Sequence, residues 1–139
     1  MKKITLYSDG SSLGNPGPGG YGTILVYADK ERVLSGSESH TTNNRMELMG
    51  VIAGIEALKE SCEVEVVSDS TYVINAINKW LDGWIKKDFK KIKNPDLWKR
   101  YVEAASRHKV RGTWIRGHNG HTENERCDII AKEEAQKYA

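Results

Sequence analysis

Four acidic residues occupy positions that surface acids seldom take. Asp9 and Asp69 each follow a short run typical of a strand, in "KKITLYSD" and "EVEVVSD". Glu47 adjoins the apolar stripe of "NNRMEL", and Asp128 lies within the apolar pattern of "ERCDII". Taken singly, each acid is better explained as a helix cap, a turn residue or a solvated side chain. Their chemical interest depends on whether the fold brings them together.

Convergence of these acids would require a cation. Four carboxylates placed together would repel one another, raise one another's pKa values and destabilise the domain. All-oxygen ligation suits Mg²⁺ or Mn²⁺, and two such ions about 4 Å apart form an arrangement that cleaves phosphodiesters. The residue types therefore predict a two-metal site, on condition that the strands and helices place them at one point.

The hydrophobic periodicity predicts the element order β, β, β, α, β, α, α, β, α. The run "KKITLYSDG" has strand period, and "YGTILVYAD" and "RVLSGSES" complete an antiparallel meander. Helical spacing follows in "NNRMELMGVIAGIEALKE" and "STYVINAINKWLDGW", with further helices from Pro95 and over residues 123 to about 136. A crossover after the first helix should place the fourth strand parallel to the first. Asp9 and Asp69 would then lie side by side at a sheet edge where ligands usually bind.

Length and composition indicate a single domain spanning residues 1–139. A chain of 139 residues buries enough surface for one core. It has no apolar run long enough for a signal peptide or a membrane span. Cys62 and Cys127 are far apart in sequence, which favours reduced packing residues. We therefore expect a cytoplasmic, monomeric protein that does not bind membranes.

The positive charge is concentrated in residues 79–100. The chain has a net charge of +2, whereas this segment alone carries +5 and the remainder −3. Three of the four tryptophans, Trp80, Trp84 and Trp98, lie in the same segment. A solvated helix with aromatic core residues explains this composition. A surface that follows a phosphate backbone explains it as well, and the composition alone leaves both open.

Four sequence blocks together resemble one known family. The blocks "DGSSLGNPGPGGYG", "TTNNRMEL", "SDSTYV" and "GHNGHTENERCD" resemble bacterial ribonuclease H type 1 in order and spacing, from residue 4 to about 133. The resemblance implies the ribonuclease H-like α/β fold, with a five-stranded mixed sheet flanked by helices. It also implies an endonuclease that cuts the RNA strand of RNA/DNA hybrids and leaves 5'-phosphate and 3'-hydroxyl ends. The implied cofactor is Mg²⁺, two ions with substrate, for which Mn²⁺ can substitute.

The resemblance also assigns roles to individual residues. By motif position, the metal-binding carboxylates would be Asp9, Glu47, Asp69 and Asp128. His118 would assist proton transfer or product departure. Contacts to the hybrid backbone or groove would come from Asn15, Thr42, Asn43, Asn44 and Thr71. Residues 42–44 are equally explained as a simple helix cap.

Residues 79–100 look like the basic handle that grips the DNA strand in many members of this family. The side chains expected to contact the DNA are Trp80, Trp84, Lys86, Lys87, Lys90 and Lys91. If these residues only form a solvated face, replacing the lysines would leave hybrid affinity unchanged.

The glycine-rich run of residues 7–22 contains six glycines and two prolines. A hairpin turn needs only two to five residues, so a simple turn does not account for the run. We interpret the bare backbone as room for the scissile phosphate beside Asp9, with Asn15 as a polar tip for the minor groove.

Two other functions share some of these features. A non-catalytic hybrid-binding module would keep the basic segment but would have little reason to hold four converging acids. Another nuclease or a transposase of the same superfamily would share the acids and the metals, but not the blocks "TTNNRMEL" and "GHNGHTENERCD" together.

Overall fold

The computed structural model describes residues 1–117 and 119–139, and its elements follow the predicted order. The strands are β1 Lys2–Ser12, β2 Gly17–Tyr27, β3 Lys30–Thr41, β4 Cys62–Ser68 and β5 Lys109–Trp114. The helices are α1 Asn43–Glu56, α2 Thr71–Asn75, α3 Leu81–Lys86, α4 Pro95–Ala105 and α5 Thr122–Gln136. A π-helical turn, Ala76–Trp80, joins α2 to α3. None of the helices in the described residues is both long and apolar enough to cross a bilayer.

The five strands form one mixed sheet in the order β3-β2-β1-β4-β5. Strands β1, β2 and β3 are an antiparallel meander, and β4 and β5 add in parallel on the other side of β1. The register pairs Tyr7 of β1 with Val67 of β4. Two residues further on, Asp9 and Asp69 reach the same level of the sheet, so the predicted parallel pairing is confirmed.

Helices α1 and α5 cover opposite faces of the sheet. Gly54 of α1 packs on Leu6, where an added Cβ would approach Leu6 Cδ1 to 2.5 Å. On β2, a Cβ at Gly22 would lie 2.7 Å from the carbonyl oxygen of Cys127 in α5. Gly54 on the helix and Gly22 on the strand therefore each allow one helix to pack closely on a face of the sheet.

The core lies between the sheet and helices α1, α2 and α4. Its largest fully buried side chain is Trp98 of α4. The Trp98 ring makes edge-on contacts with Tyr72, Trp84 and Tyr101 at centroid distances of 5.9, 5.4 and 5.5 Å, respectively. Its indole Nε1 donates to the Tyr72 hydroxyl at 2.8 Å, which satisfies the only polar atom of this side chain. One tryptophan of the basic segment is therefore a core residue.

The glycine-rich run has a packing role that the sequence did not predict. Strands β1 and β2 extend into it and leave a turn of residues 13–16, which is within the range of ordinary hairpins. A Cβ at Gly10 would overlap the backbone nitrogen of Glu47, and one at Gly20 would overlap Glu134 of α5. The absence of side chains at Gly10 and Gly20 thus allows α1 and α5 to approach the sheet, and room for a phosphate beside Asp9 stays a prediction.

Two helix starts differ in how their capping residues are used. Thr42 caps α1, since its Oγ1 accepts the Arg45 N–H at 3.2 Å. Asn94 immediately precedes α4, but its side chain makes no capping bond and its backbone is left-handed, with φ of 56°. Its amide instead binds Arg45 and the Tyr72 hydroxyl, because α1 and α2 pack beside the start of α4.

Candidate active site

Three carboxylates from separate parts of the chain converge at one edge of the sheet. Asp9 lies on β1, Glu47 in the second turn of α1, and Asp69 directly after β4. One carboxylate oxygen of each residue lies within 4.8 Å of the corresponding oxygens of the other two. The backbone N–H of Gly10 lies between two of these groups, 2.9 Å from Asp9 Oδ1 and 3.0 Å from Glu47 Oε1.

The cluster is electrostatically strained. Burial, with the negative charge of Asp69 and the contact with Asp128 adding to it, raises the pKa of Asp9 to about 6. Burial and then the charge of Asp9 raise the pKa of Glu47 well above its ordinary value. Glu47 Oε2 is buried and finds no hydrogen-bond partner among the described residues. A buried acceptor and mutually repelling carboxylates fit a divalent cation, and the all-oxygen donor set suits Mg²⁺.

Asp128 lies beside this cluster rather than within it. It follows the buried Cys127 on α5 and lines a narrow cleft together with Asp9 and Asp69. Its Oδ2 is 3.0 Å from Lys132 Nζ, one helical turn further along α5. The structure thus brings the four predicted acids together: Asp9, Asp69 and Asp128 line the cleft, and Glu47 of α1 is in close contact with Asp9 and Asp69.

Sequence reasoning missed the residues that complete this cleft. The remaining lining residues are Arg116, Gly117, His121, Asn124 and Glu125. Asn124 lies one helical turn before Asp128, so the spacing of the two in "NERCD" predicts a shared face and is a signal that could have found it. The Asn124 Nδ2 donates to the Val67 carbonyl at 3.3 Å, which holds the start of α5 against β4.

The predicted hybrid-contacting residues form a polar surface where the β1–β2 turn meets α1. Asn15 Oδ1 accepts the backbone N–H of Asn43 at 3.0 Å, and the Ser12 hydroxyl donates to Asn43 Oδ1 at 3.0 Å. Asn44 is exposed beside them, and the exposed Thr71 begins α2 two residues after Asp69. Thr42 serves as the helix cap, which the second interpretation of residues 42–44 anticipated.

The basic segment presents its lysines to solvent. Four exposed lysines line a surface depression together with Trp84, and they are Lys86, Lys87, Lys90 and Lys91. Trp80 is 42% exposed, and its ring lies 5.9 Å from that of Trp84. Trp84 is half-buried because its other contact is Trp98 in the core. The two tryptophans predicted to contact the DNA therefore differ in solvent exposure, and Trp80 is the more accessible.

His118, which the resemblance assigns to proton transfer, lies outside the described residues.

Comparison with known proteins agrees with this fold. The model of the RNase H family matches residues 1–136. "Ribonuclease H" of Sulfurovum sp. is 66% identical over 136 residues, covering 98% of this chain and 92% of the relative. "Ribonuclease HI" of Helicobacter pylori is 56% identical over 137 residues, covering 99% of this chain and 96% of the relative. The crystal structure of LC9-RNase H1, described as a type 1 RNase H with the type 2 active-site motif, is 32% identical. It superposes with a TM-score of 0.91 and covers 100% of this chain and 74% of that one.

The chain belongs to the RNase H family. Its fold is the ribonuclease H-like α/β fold, and its enzyme class is that of a metal-dependent endonuclease.

Proposed function

We propose that this chain hydrolyses the RNA strand of RNA/DNA hybrids and leaves 5'-phosphate and 3'-hydroxyl ends. The observation that carries the proposal is the cluster of Asp9, Glu47 and Asp69, whose oxygens lie within 4.8 Å of one another in an RNase H fold. Carboxylates in such contact raise one another's pKa and oppose folding, so a protein retains them for a cation that neutralises them.

The site would hold Mg²⁺, two ions with substrate, and would accept Mn²⁺ in its place. Asp9, Glu47 and Asp69 would hold the metal from the sheet edge, and Asp128 would complete the set from α5 once it leaves Lys132. Bound Mg²⁺ supplies Lewis acidity at the phosphate and lowers the pKa of water. Glu47 Oε2 is buried and has no hydrogen bond among the described residues, so a bound cation would supply the partner that this oxygen lacks.

The chain's own groups position the reacting atoms and move the proton. The Gly10 N–H orients the carboxylates of Asp9 and Glu47, so both keep their geometry when the ion leaves. Arg116 lines the cleft, and its guanidinium would attract a phosphate of the RNA strand. For His118 the sequence resemblance alone supports proton transfer to the departing 3'-oxygen.

Two surfaces would distinguish the hybrid from other duplexes. The polar surface formed by Asn15, Asn43 and Asn44 lies beside the N-terminus of α1 and offers donors and acceptors to 2'-hydroxyls in the minor groove. The basic segment, residues 79–100, would act as a handle that follows the DNA phosphates. Thr71 lies between these surfaces along the chain and would contact the backbone near Asp69.

We further propose that the chain acts as a single-domain monomer in the cytoplasm. Both cysteines are free and buried, as expected where thiols remain reduced.

The direct test is incubation with Mg²⁺ and three labelled duplexes: an RNA/DNA hybrid, double-stranded DNA and double-stranded RNA. Cleavage restricted to the RNA strand of the hybrid, and abolished by EDTA, is the expected result. Tight hybrid binding without cleavage would instead indicate a binding module. Cleavage of double-stranded DNA would indicate a different nuclease or a transposase of the superfamily.

A further inference from the structure

Trp114 is an exposed aromatic residue beside the cleft. The proposed reaction assigns no role to it. It is the last residue of β5, and half of its surface, 50%, is exposed. The polar atom of this side chain points to its role, because a Trp N–H usually finds a hydrogen-bond partner. The indole Nε1 donates a hydrogen bond of 3.0 Å to the backbone carbonyl of Asp69.

The residues that follow Trp114 also enclose Asp69. The Ile115 N–H donates to the Ser68 carbonyl at 3.0 Å, which extends the pairing of β5 with β4 up to the aspartate. Gly117 lies so close that a Cβ there would come within 2.5 Å of Asp69 Oδ2. Residues 114–117 therefore contact Asp69 through both its main chain and its carboxylate.

Asp69 needs such support because it lies where regular structure stops. Strand β4 ends at Ser68 and α2 begins at Thr71, with Ser70 as its cap. The Ser70 carbonyl already accepts a helical bond from Ile74, whereas the Asp69 carbonyl precedes the helix. A change in the backbone dihedrals of Asp69 would reorient its Cα–Cβ bond and move the carboxylate relative to Asp9. Mg²⁺ requires near-octahedral oxygens at about 2.0 to 2.1 Å, so it tolerates little rotation.

We propose that Trp114 is a positioning residue, whose indole N–H fixes the Asp69 peptide so that the carboxylate keeps its metal-binding orientation. The inference rests on the proposed function of Asp69 as a metal ligand. It assigns to Trp114 an effect on metal affinity and turnover, and none on hybrid affinity.

The test variant is Trp114→Phe, which keeps an aromatic ring and removes the N–H. The first readout needs no substrate: the melting temperature is measured against Mg²⁺ concentration after EDTA treatment. The Mg²⁺ concentration at half-maximal stabilisation should rise about tenfold, as for loss of a group that orients a metal ligand. Tyr27→Phe is the matched control, since Tyr27 is an exposed aromatic residue at the end of β2 and lies far from the cleft. It should leave this midpoint unchanged.

The second readout separates kcat from KM on the hybrid. Trp114→Phe should lower kcat about tenfold at fixed Mg²⁺ and keep KM within about twofold, and raising Mg²⁺ should restore most of the rate. A lower metal-free melting temperature with an unchanged Mg²⁺ midpoint would overturn the proposal, since Trp114 would then be only structural. A raised KM with normal kcat would also overturn it. If wild type neither cleaves the hybrid nor gains stability from Mg²⁺, the proposed function itself fails.

Discussion

The acidic cleft and the basic segment differ in how each is built and in what each has to do. The cleft gathers carboxylates from β1, α1 and the end of β4, and it buries them against one another. The basic segment is continuous in sequence, and its lysines face solvent. Catalysis requires fixed distances, which buried and backbone-bonded groups supply. Attraction of a polyanion needs only charge in the right region, so exposed side chains suffice.

The two regions are nevertheless joined through α1. Arg45, two residues before Glu47, binds both carboxylate oxygens of Asp96 at 3.1 and 2.8 Å. Arg100 makes a similar pair with Glu56 at the other end of α1. The base of the basic segment is thus anchored to the helix that carries one of the carboxylates. The lysines project from an ordered base rather than from a free loop.

Replacing Asp69 by Asn should have the largest effect on the cleft. Hybrid cleavage should be abolished, because the variant lacks a metal ligand. The metal-free protein should be equally or more stable, because one of the mutually repelling charges is gone. Calorimetry with and without Mg²⁺ checks both statements, since wild type alone should gain stability from the ion. If the variant retains cleavage and Mg²⁺ does not change the stability of wild type, the acidic cleft is not a metal site.

His118→Ala should have the next largest effect. Turnover should fall about 10 to 1000-fold, in line with removal of a general acid or base. Hybrid affinity, measured by fluorescence anisotropy in Ca²⁺ or without metal, should stay nearly constant. Unchanged turnover would reassign this residue to a surface loop with no part in the reaction.

Asp9→Asn tests the buried charge by its pH dependence. Burial holds the pKa of Asp9 at about 6, against an ordinary 3.8, so the folded chain stays protonated where the unfolded chain ionises. The stability this provides is complete below about pH 4 and is lost as the pH rises through 6. In EDTA, the free energy of unfolding of the variant, measured in urea, should therefore increase relative to that of wild type between pH 4 and 7, by on the order of 2 kcal/mol.

Glu60→Gln is the control with the opposite sign. Lys2, 2.5 Å away, lowers the pKa of Glu60, so this acid adds stability as the pH rises. The Gln variant should lose stability relative to wild type as the pH rises to about 4.5, the ordinary pKa of Glu, and this difference should then stay constant up to pH 7. If the Asp9→Asn variant also loses stability relative to wild type as the pH rises, the electrostatic account of the cleft is wrong.

Changing the four exposed lysines to Gln tests the basic segment. If Lys86, Lys87, Lys90 and Lys91 line the DNA strand, hybrid affinity should fall. The slope of log K against log salt should then flatten by about 0.7 to 0.9 for each phosphate that a lysine no longer neutralises. Most of the cleavage rate should return at saturating hybrid, with the defect appearing in KM.

The matched control carries the same charge change at exposed lysines outside the basic segment. These are Lys3, Lys30, Lys59 and Lys109. An equal decrease of affinity in both variants would show that only net charge matters. An unchanged affinity and salt slope in the first variant would show that its lysines form a solvated face.

The smallest effect should come from Trp80→Ala, which tests uncharged contacts of the same segment. Stacking of the exposed ring on the DNA would contribute about 1 kcal/mol, so affinity should fall several-fold without a change in the salt slope. Trp84→Ala should also weaken binding, but it should lower the melting temperature as well, since Trp84 packs on Trp98. Equal melting temperatures for the two variants would contradict this distinction.

The sequence predicted most of the fold and the main groups of the site. Strand and helix periods were clear for β1 and α1, because each buries a regular set of apolar side chains, and Pro95 marked the start of α4. The second predicted helix is interrupted by a π-helical turn at Ala76–Trp80. There Asn78 pairs with both the N–H and the carbonyl of Gly112 on the edge strand β5 at 2.9 Å. That contact joins residues far apart in sequence, so local periodicity carried no sign of it.

Trp114 and the glycines of residues 7–22 also show that the local sequence does not identify the neighbours of a residue. An aromatic residue in "GTWIRG" is typical of a core position, whereas its indole lies half exposed and binds the main chain of Asp69. The glycines of residues 7–22 suggested room for a ligand, yet Gly10, Gly20 and Gly22 admit two helices. A glycine indicates that something approaches closely, and only the fold shows what that neighbour is.

The sequence by itself determined which residues could do chemistry and which elements carry them, because residue type and period are local properties. The tertiary structure decided that Asp9, Glu47 and Asp69 meet within 4.8 Å while Asp128 stays beside Lys132. It also decided that Trp98 is core and Trp80 is exposed, although both lie in one basic segment. Distances, burial and the resulting pKa of about 6 for Asp9 arise from packing between distant segments, and those are properties of the folded chain.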